Sequence, residues 1–588
     1  MRNCTRKHEV REDRARRGEN WRRQQLNWFL DHAMRTTTSA PTATELTSGE
    51  ESALMTSSAR QATVAAATTT PQRSWPQTTA DFLRSPEGHA ALLGFVGAVM
   101  ITFGGFGAGS VRREDPLLEA MHLSWLRFGH GQILSTVIVW VGVVAMITAW
   151  VRLGRATLGG DVTLRQLRMV VPVWTAPLLL AVPMFSRDAY SYLAQGALLR
   201  DGFDPYAVGP VVNPGILLDN VSNVWTTTTA PYGPLFLLLS QGITAITGDN
   251  VIAGTMLLRV TMLPGLALMV WGVPHLARHL GGSPAIALWL AVLNPLVLVH
   301  LIGGVHNELL MVGLMIAGIA LVLERRHLAG IALVAVAVAI KATAGAALPF
   351  MVWIWMLHEK EKAEAEGRTP ASPLASFAKT AGAGFAVFVF VFAAASAVAG
   401  VGLGWMTALS GSNKIINWLS LPTILAHFVT VGTSWFADLR LGEVLAVTRP
   451  ICAVALVVIV LAAWWRYRKT ERDAILGILI VLVAIVILSP AALPWYYSWP
   501  IAIAAGFALS TRTLMILVGL STWLMLVFQP DGSIGLYTLA HVVLATFAAV
   551  VAAVSLRTVD PLRLRAPRPV EEERTADLAG AASSPGLE

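Results

Sequence analysis

The chain has 588 residues, of which 55% are hydrophobic and only 14% charged, with a formal net charge of +8. Soluble domains carry roughly 25% charged residues, so this composition excludes a soluble enzyme and describes a polytopic membrane protein. The positive excess sits mostly as Arg in the tails and short loops, where it sets topology rather than binding nucleic acid. Residues 1–88 are basic first, then rich in Thr, Ala and Ser without an apolar period, and read as a disordered cytoplasmic tail. Met34 and Met55 are alternative starts within it. Residues 557–588 read as a second disordered tail. Cys4 in the first tail and Cys452 in an apolar run exclude a disulfide framework and a Cys-based zinc site.

Between the tails, residues 89–556 hold apolar runs near 89–109, 132–151, 168–185, 251–273, 283–301, 307–323, 376–400, 443–465, 474–490, 496–510, 512–529 and 535–556. A crossing takes about 20 helical residues, so an all-α bundle of roughly 13–15 membrane segments is expected. The stretch 329–357 is apolar but interrupted by Lys341 and reads as two short helices meeting at that lysine. The stretch 233–247 is short, begins Pro-Tyr-Gly-Pro, and reads as re-entrant or interfacial. Counting Arg and Lys in the short loops puts both termini in the cytoplasm and residues 110–131, 186–232, 303–307, 401–442, 490–497 and 529–534 outside. An active site is therefore expected to face out.

The residues able to carry chemistry lie in those outer segments. Asp188 follows Ser186 and Arg187 at the end of an apolar run, where partial desolvation would make its carboxylate a general base for a sugar hydroxyl. The structural alternative is a helix end solvated among headgroups. Tyr190 and Tyr192 follow at interfacial depth. Asp204-Pro205 reads first as a turn. His306, Asn307 and Glu308 sit between two apolar runs, and ionisable groups at that depth are functional by default. Lys341 either snorkels or meets an anion such as a lipid phosphate. Lys414 lies in a later loop with Trp418, and the run from Pro494 to Pro500 holds Trp495, Tyr496, Tyr497 and Trp499. That run reads first as an interfacial aromatic belt and second as a sugar-stacking surface. His275 and His279 have zinc-like spacing but no third ligand nearby in sequence. The segment Gly104–Gly109 is a helix-packing face rather than a phosphate loop. No Walker A sequence or GxSxG elbow is present.

Taken in order, Ser186-Arg-Asp188-Ala-Tyr190-Ser-Tyr192, Asp201-Gly-Phe-Asp204-Pro-Tyr206, Ala230-Pro-Tyr232-Gly-Pro, Asn294-Pro295, His306-Asn307-Glu308, Lys341 and Pro494-Trp495-Tyr496 resemble the actinobacterial polyprenol-phosphomannose-dependent α-(1→6)-mannosyltransferases. These form the MptA/MptB group of the GT-C glycosyltransferases. The resemblance covers about residues 89–556, and length with the long polar tail leans toward the MptB branch. It implies a plasma-membrane enzyme with an extracytoplasmic catalytic loop and a polyprenyl-phosphate-mannose donor. The implied acceptor is a lipid-anchored α-mannan, the backbone of lipomannan and lipoarabinomannan, extended with inversion.

On this resemblance Asp188 is the base, and Arg187, Lys341 and Lys414 contact the donor phosphate, with His306 also available to it. Asp204, His306, Asn307 and Glu308 are catalytic or positioning candidates, while Tyr190, Tyr192, Tyr232, Trp495 and Tyr496 line a sugar or lipid groove. No cofactor is expected. A single Asp stands where many GT-C proteins show an acidic pair, which leaves metal dependence open. Two other readings compete: another GT-C transferase, for arabinofuranose or a different mannosyl linkage, and a transporter or flippase for a lipid-linked saccharide.

Overall fold

The computed structural model describes residues 82, 84–559, 561 and 562. The residues up to Gln77 lie outside the described residues. Cys4, Met34, Met55 and nearly all of the two expected tails lie there too. The principal helices are α1 (Pro86–Ala108), α2 (Gly129–Gly159), α3 (Leu164–Leu178), α4 (Asp188–Arg200), α5 (Pro234–Thr247) and α6 (Val251–Leu280). Next come α7 (Pro284–Ala291), α8 (Pro295–Leu298), α9 (Glu308–Leu323), α10 (His327–Val338), α11 (Leu348–Ala365) and α12 (Pro373–Ala399). The chain ends with α13 (Leu421–Thr433), α14 (Leu441–Arg466), α15 (Glu471–Leu488), α16 (Ser498–Ala504), α17 (Thr511–Leu526) and α18 (Leu539–Ser555). The fold is all-α, as expected of a polytopic membrane protein.

Among the described residues five helices, α1, α2, α6, α12 and α14, are long and apolar enough to cross a membrane. The pair around Asn294, bent by 48°, makes a sixth if it is one broken span. The remaining apolar runs form shorter helices, two of them ended by features within the run itself. The run at 168–185 was expected to span, but α3 contains Pro172 and Pro177 and stops at Leu178. The run at 496–510 was also expected to span. It forms only a 3₁₀ turn and the seven-residue α16, then turns so that Phe507 pairs with Gly281. Within 401–442, expected as loop, the apolar α13 forms behind Pro422 at its first turn.

The break expected at Lys341 is present. Helix α10 ends at Val338, Lys341 is extended, and a 3₁₀ segment Ala342–Ala347 leads into α11. The Pro-Tyr-Gly-Pro motif closes this break. Gly233 N–H donates to the Ile340 carbonyl at 3.0 Å and Leu235 N–H to the Ala339 carbonyl at 2.9 Å, satisfying groups that the interrupted helix frees. A Cβ on Gly233 would lie 2.3 Å from the Ala339 oxygen, so only glycine permits this approach.

Small residues set the first helix pair. A Cβ on Gly97 would sit 2.7 Å from the Gly142 oxygen, and the reverse distance is also 2.7 Å, so α1 and α2 touch backbone to backbone. Within the Gly104–Gly109 segment Gly104 and Gly107 continue this face, a Cβ on Gly104 meeting the Ser135 oxygen at 2.6 Å, while Gly105 and Gly109 face Met184. Further along, Trp150 and Trp289 stack at 5.2 Å and each indole N–H donates to the other residue's carbonyl, fixing α7 against α2.

Candidate active site

Two strained turns deliver the site residues. Phe185 and Val305 have φ of 62° and 60°, a conformation costly for side chains that bulky. Each is held by its surroundings: Phe185 N–H donates to the Pro530 carbonyl at 2.8 Å, and Val305 follows the π-helical turn Val299–Gly303. Arg259, buried in α6, fastens the same region. Its guanidinium donates to the carbonyls of Leu179 and Ala181 at 2.7 Å and of Ile302 at 2.9 Å, groups left open where α3 and the π turn end. The first strained turn releases Asp188 at the head of α4, and the second releases His306-Asn307-Glu308 at the head of α9.

These residues converge. His306 Nδ1 lies 3.6 Å from Asp188 Oδ2 and 3.9 Å from Glu308 Oε2. Asp188 Oδ1 accepts from Trp225 Nε1 at 3.2 Å, and its own N–H donates to Ser186 Oγ at 3.0 Å. Lys341 forms an ion pair with Glu308 and sits over the rings of Tyr496 and Trp499, 4.5 and 5.4 Å from their centroids. Trp495 stacks on His306 at 3.9 Å. Tyr232 meets Tyr192 edge-on at 5.1 Å and contributes its face to Lys341 at 5.9 Å.

Burial in this cluster is uneven. The His306 and Glu308 side chains are 0% exposed, whereas Asp188 and Lys341 each keep 13% and form the accessible rim. Burial, and next the neighbouring Glu308 charge, push the Asp188 carboxyl up to about 6, against the opposing pull of Lys341 and of hydrogen bonds from Ser186 and Trp225. Several polar atoms here have no protein partner: both ring nitrogens of His306, both amide atoms of Asn307 and Oε2 of Glu308. Unpaired buried groups are costly, and their concentration on one side of a rim carboxylate marks a place prepared for a polar ligand.

Other expected residues fall elsewhere. Asp204 is exposed and accepts from Tyr206 N–H at 2.8 Å, the turn geometry its sequence suggested. Tyr190 is buried and donates its hydroxyl to the Ser110 carbonyl at 2.6 Å, which occupies it structurally. Tyr192 is equally buried, packed edge-on against Phe236 at 4.9 Å. Arg187 donates to the carbonyls of Asn220 and Val111, and Lys414 to the hydroxyls of Thr227 and Thr228. The aromatic run at 494–500 is not an interfacial belt: Trp495 and Trp499 are 3% and 1% exposed and belong to the cluster. His275 Nδ1–H donates to the Trp271 carbonyl within its own helix at 2.7 Å, and no cluster of metal-ligating side chains occurs among the described residues.

Three participants escaped sequence reading. Trp225 stands in a Thr-rich loop with no motif around it, and Arg259 lies inside an apolar run where only its charge was a signal. His300 is fully buried beside Phe185 and Trp495 with neither ring nitrogen paired, and it too was an ionisable residue inside an apolar run.

Fold and cluster together define a helical multi-pass membrane protein with a buried polar site beneath short, broken helices. The chain matches the sequence model described as alpha-(1->6)-mannopyranosyltransferase, N-terminal domain, over residues 91–357, and the MptB C-terminal domain over residues 422–558. It is 54% identical to alpha-(1->6)-mannopyranosyltransferase A of Mycobacterium tuberculosis, over 80% of this chain and 90% of that protein. Identity is 38% to the A protein of Corynebacterium glutamicum, over 77% of this chain and 96% of that one. It is 30% to alpha-(1->6)-mannopyranosyltransferase B of the same organism, over 71% and 72%. No solved structure matches the chain. The chain therefore belongs to the alpha-(1->6)-mannopyranosyltransferase family. The leaning toward the MptB branch is overturned, since identity is higher with the A proteins; tail length lies outside the matched regions and does not mark the branch.

Proposed function

We propose that this chain transfers mannose from polyprenyl-phosphate-mannose to a lipid-anchored α-mannan, forming an α-(1→6) bond with inversion in lipomannan and lipoarabinomannan backbone synthesis. The site faces out of the plasma membrane and both termini lie in the cytoplasm. In a single displacement the acceptor 6-hydroxyl oxygen attacks the anomeric carbon and its proton passes to Asp188. The bond from that carbon to the phosphate oxygen breaks, and its electron pair leaves with the polyprenyl phosphate. Trp225 holds one Asp188 oxygen while the other stays toward His306. Lys341 places a cation at the rim, where it opposes charge on the departing phosphate.

The observation that carries this reading is Asp188 itself. It is a desolvated carboxyl at the accessible edge of the cluster, with its proton affinity raised to about 6, the range a general base needs near neutral pH. The names of the relatives support the sugar and the linkage.

The test is a membrane-fraction assay with ¹⁴C-labelled polyprenyl-phosphate-mannose and a short α-(1→6)-dimannoside, comparing wild type with Asp188→Asn. The expected result is an α-(1→6)-extended product from wild type and a loss of about 10²–10⁴-fold in the folded variant. Persistent variant activity would move the base elsewhere. No product from wild type, with acceptors of several lengths, would favour the arabinosyl or transporter readings.

A further inference from the structure

Beside the Asp188 cluster a cavity of about 430 Å³ opens among the loops. Arg112, Arg113, Arg127 and Arg187 line it, with Asp219 and Asn223 among the polar neighbours. We propose that this cleft is a phosphate subsite that takes the phosphoryl group of a lipid-linked substrate. This inference rests on the function proposed above.

Four guanidinium groups around one cavity repel one another unless an anion joins them. Of the four, only Arg112 has a carboxylate in that role. Asp115 is bound to Arg112 at 2.6 Å, and Asp531 turns to the N–H and hydroxyl of Ser533. Asp219 remains, exposed, in the lining. The arginines are held instead by neutral carbonyls: Arg127 donates to that of Arg112, and Arg187 to those of Asn220 and Val111. Such bonds fix the forks in place without cancelling their charge, which suits a tetrahedral oxyanion. Arg112 is only 2% exposed, yet its Nε has no partner. A buried guanidinium N–H without a partner leaves donor capacity unused behind the cleft wall.

The cleft shares its walls with the Asp188 site. Arg187 lines the cleft while the next residue, Asp188, turns to His306. Asn223 lines the cleft while Trp225, two residues on, donates to Asp188. A lipid phosphate lodged here would lie beside the segment that carries the Asp188 carboxylate.

The experiment measures binding of farnesyl phosphate, farnesol and inorganic phosphate to the purified full chain in detergent by calorimetry. Variants are Arg113→Gln and Arg127→Gln in the cleft, Asp219→Asn in its lining, and Arg368→Gln in a distant loop. Farnesyl phosphate should bind more tightly than either fragment, weaken about tenfold or more in each cleft variant, and be unchanged by Arg368→Gln. It should tighten in Asp219→Asn. Arg113 has an exposed side chain, so its variant folds and separates binding from stability. Equal affinity for farnesyl phosphate and inorganic phosphate would overturn the lipid assignment. Cleft variants that bind like wild type, or a wild type that binds none of the probes, would overturn the site. Binding that behaves as expected in a protein without mannosyl transfer would leave the subsite standing and sink the proposed reaction instead.

Discussion

At the scale of single residues, Asp188 and the Lys341–Glu308 pair illustrate how burial gives ordinary side chains unusual duties. Because the Asp188 carboxyl is raised to about 6 from 3.8, it is protonated and inactive as a base below that value. The rate with saturating donor should rise with pH and level off above about 6, and a flat profile between pH about 5 and 7 would remove Asp188 from the role. The same shift has a sign for stability. The folded form binds the proton more tightly than the unfolded form, so this group makes folding less favourable as pH rises from about 4 to 6. The ion pair behaves differently. Removing only Lys341 (to Met) or only Glu308 (to Gln) strands a buried partner and should cost about 3–5 kcal/mol. The double variant should cost clearly less than the sum, and additive losses in thermal unfolding would show that the two side chains act independently.

At the scale of elements, the site depends on helices that stop early. Arg259 serves the ends of two of them, so Arg259→Met leaves several carbonyls without donors. A loss of at least about 3 kcal/mol, read as a fall in unfolding temperature, is expected; a change under about 0.5 kcal/mol would mean water satisfies those carbonyls equally well. Gly233 serves the third. Gly233→Ala forces a Cβ against the Ala339 oxygen and displaces the turn that presents Lys341. Its expected signature is a drop in mannosyl transfer larger than the accompanying loss of stability, because a shift of about 1 Å in a positioned group costs roughly 10²-fold in rate. Equal activity at normal stability would show that the Lys341 break tolerates movement.

At the scale of the whole molecule, the proposed orientation sets every loop on a defined side of the membrane. In a Cys4→Ala background, a cysteine placed at Lys414 should react with a membrane-impermeant maleimide added outside intact cells. One placed at Arg368 should react only after the membrane is opened. The native Cys452 is buried and should stay silent in both cases. Reversal of this pattern would invert the topology and put the Asp188 cluster on the cytoplasmic face. Among the described residues five full-length apolar helices stand together with many shorter ones, so the bundle is not uniform. Irregular backbone is tolerated within a membrane where protein rather than lipid surrounds it, and protein encloses the His306 and Glu308 side chains of the Asp188 cluster.

Composition and apolar run length determined the membrane class and the all-α fold, because a chain this poor in charge has only lipid in which to hide its surface. Local chemistry was equally readable: the Lys341 break, the Asp204 turn and the glycine face of α1 each follow from residue types acting on their immediate neighbours. The ordered motifs named the family. Tertiary structure alone decided which apolar runs become full-length helices, since Arg259, Gly233 and the Gly281–Phe507 pairing stabilise early ends from far away in the chain. It also decided that Trp495 and Trp499 are buried partners of His306 and Lys341, and that Trp225 reaches Asp188. Aromatic side chains suit a membrane interface and a polar pocket alike. Only the contacts made by distant segments choose between the two.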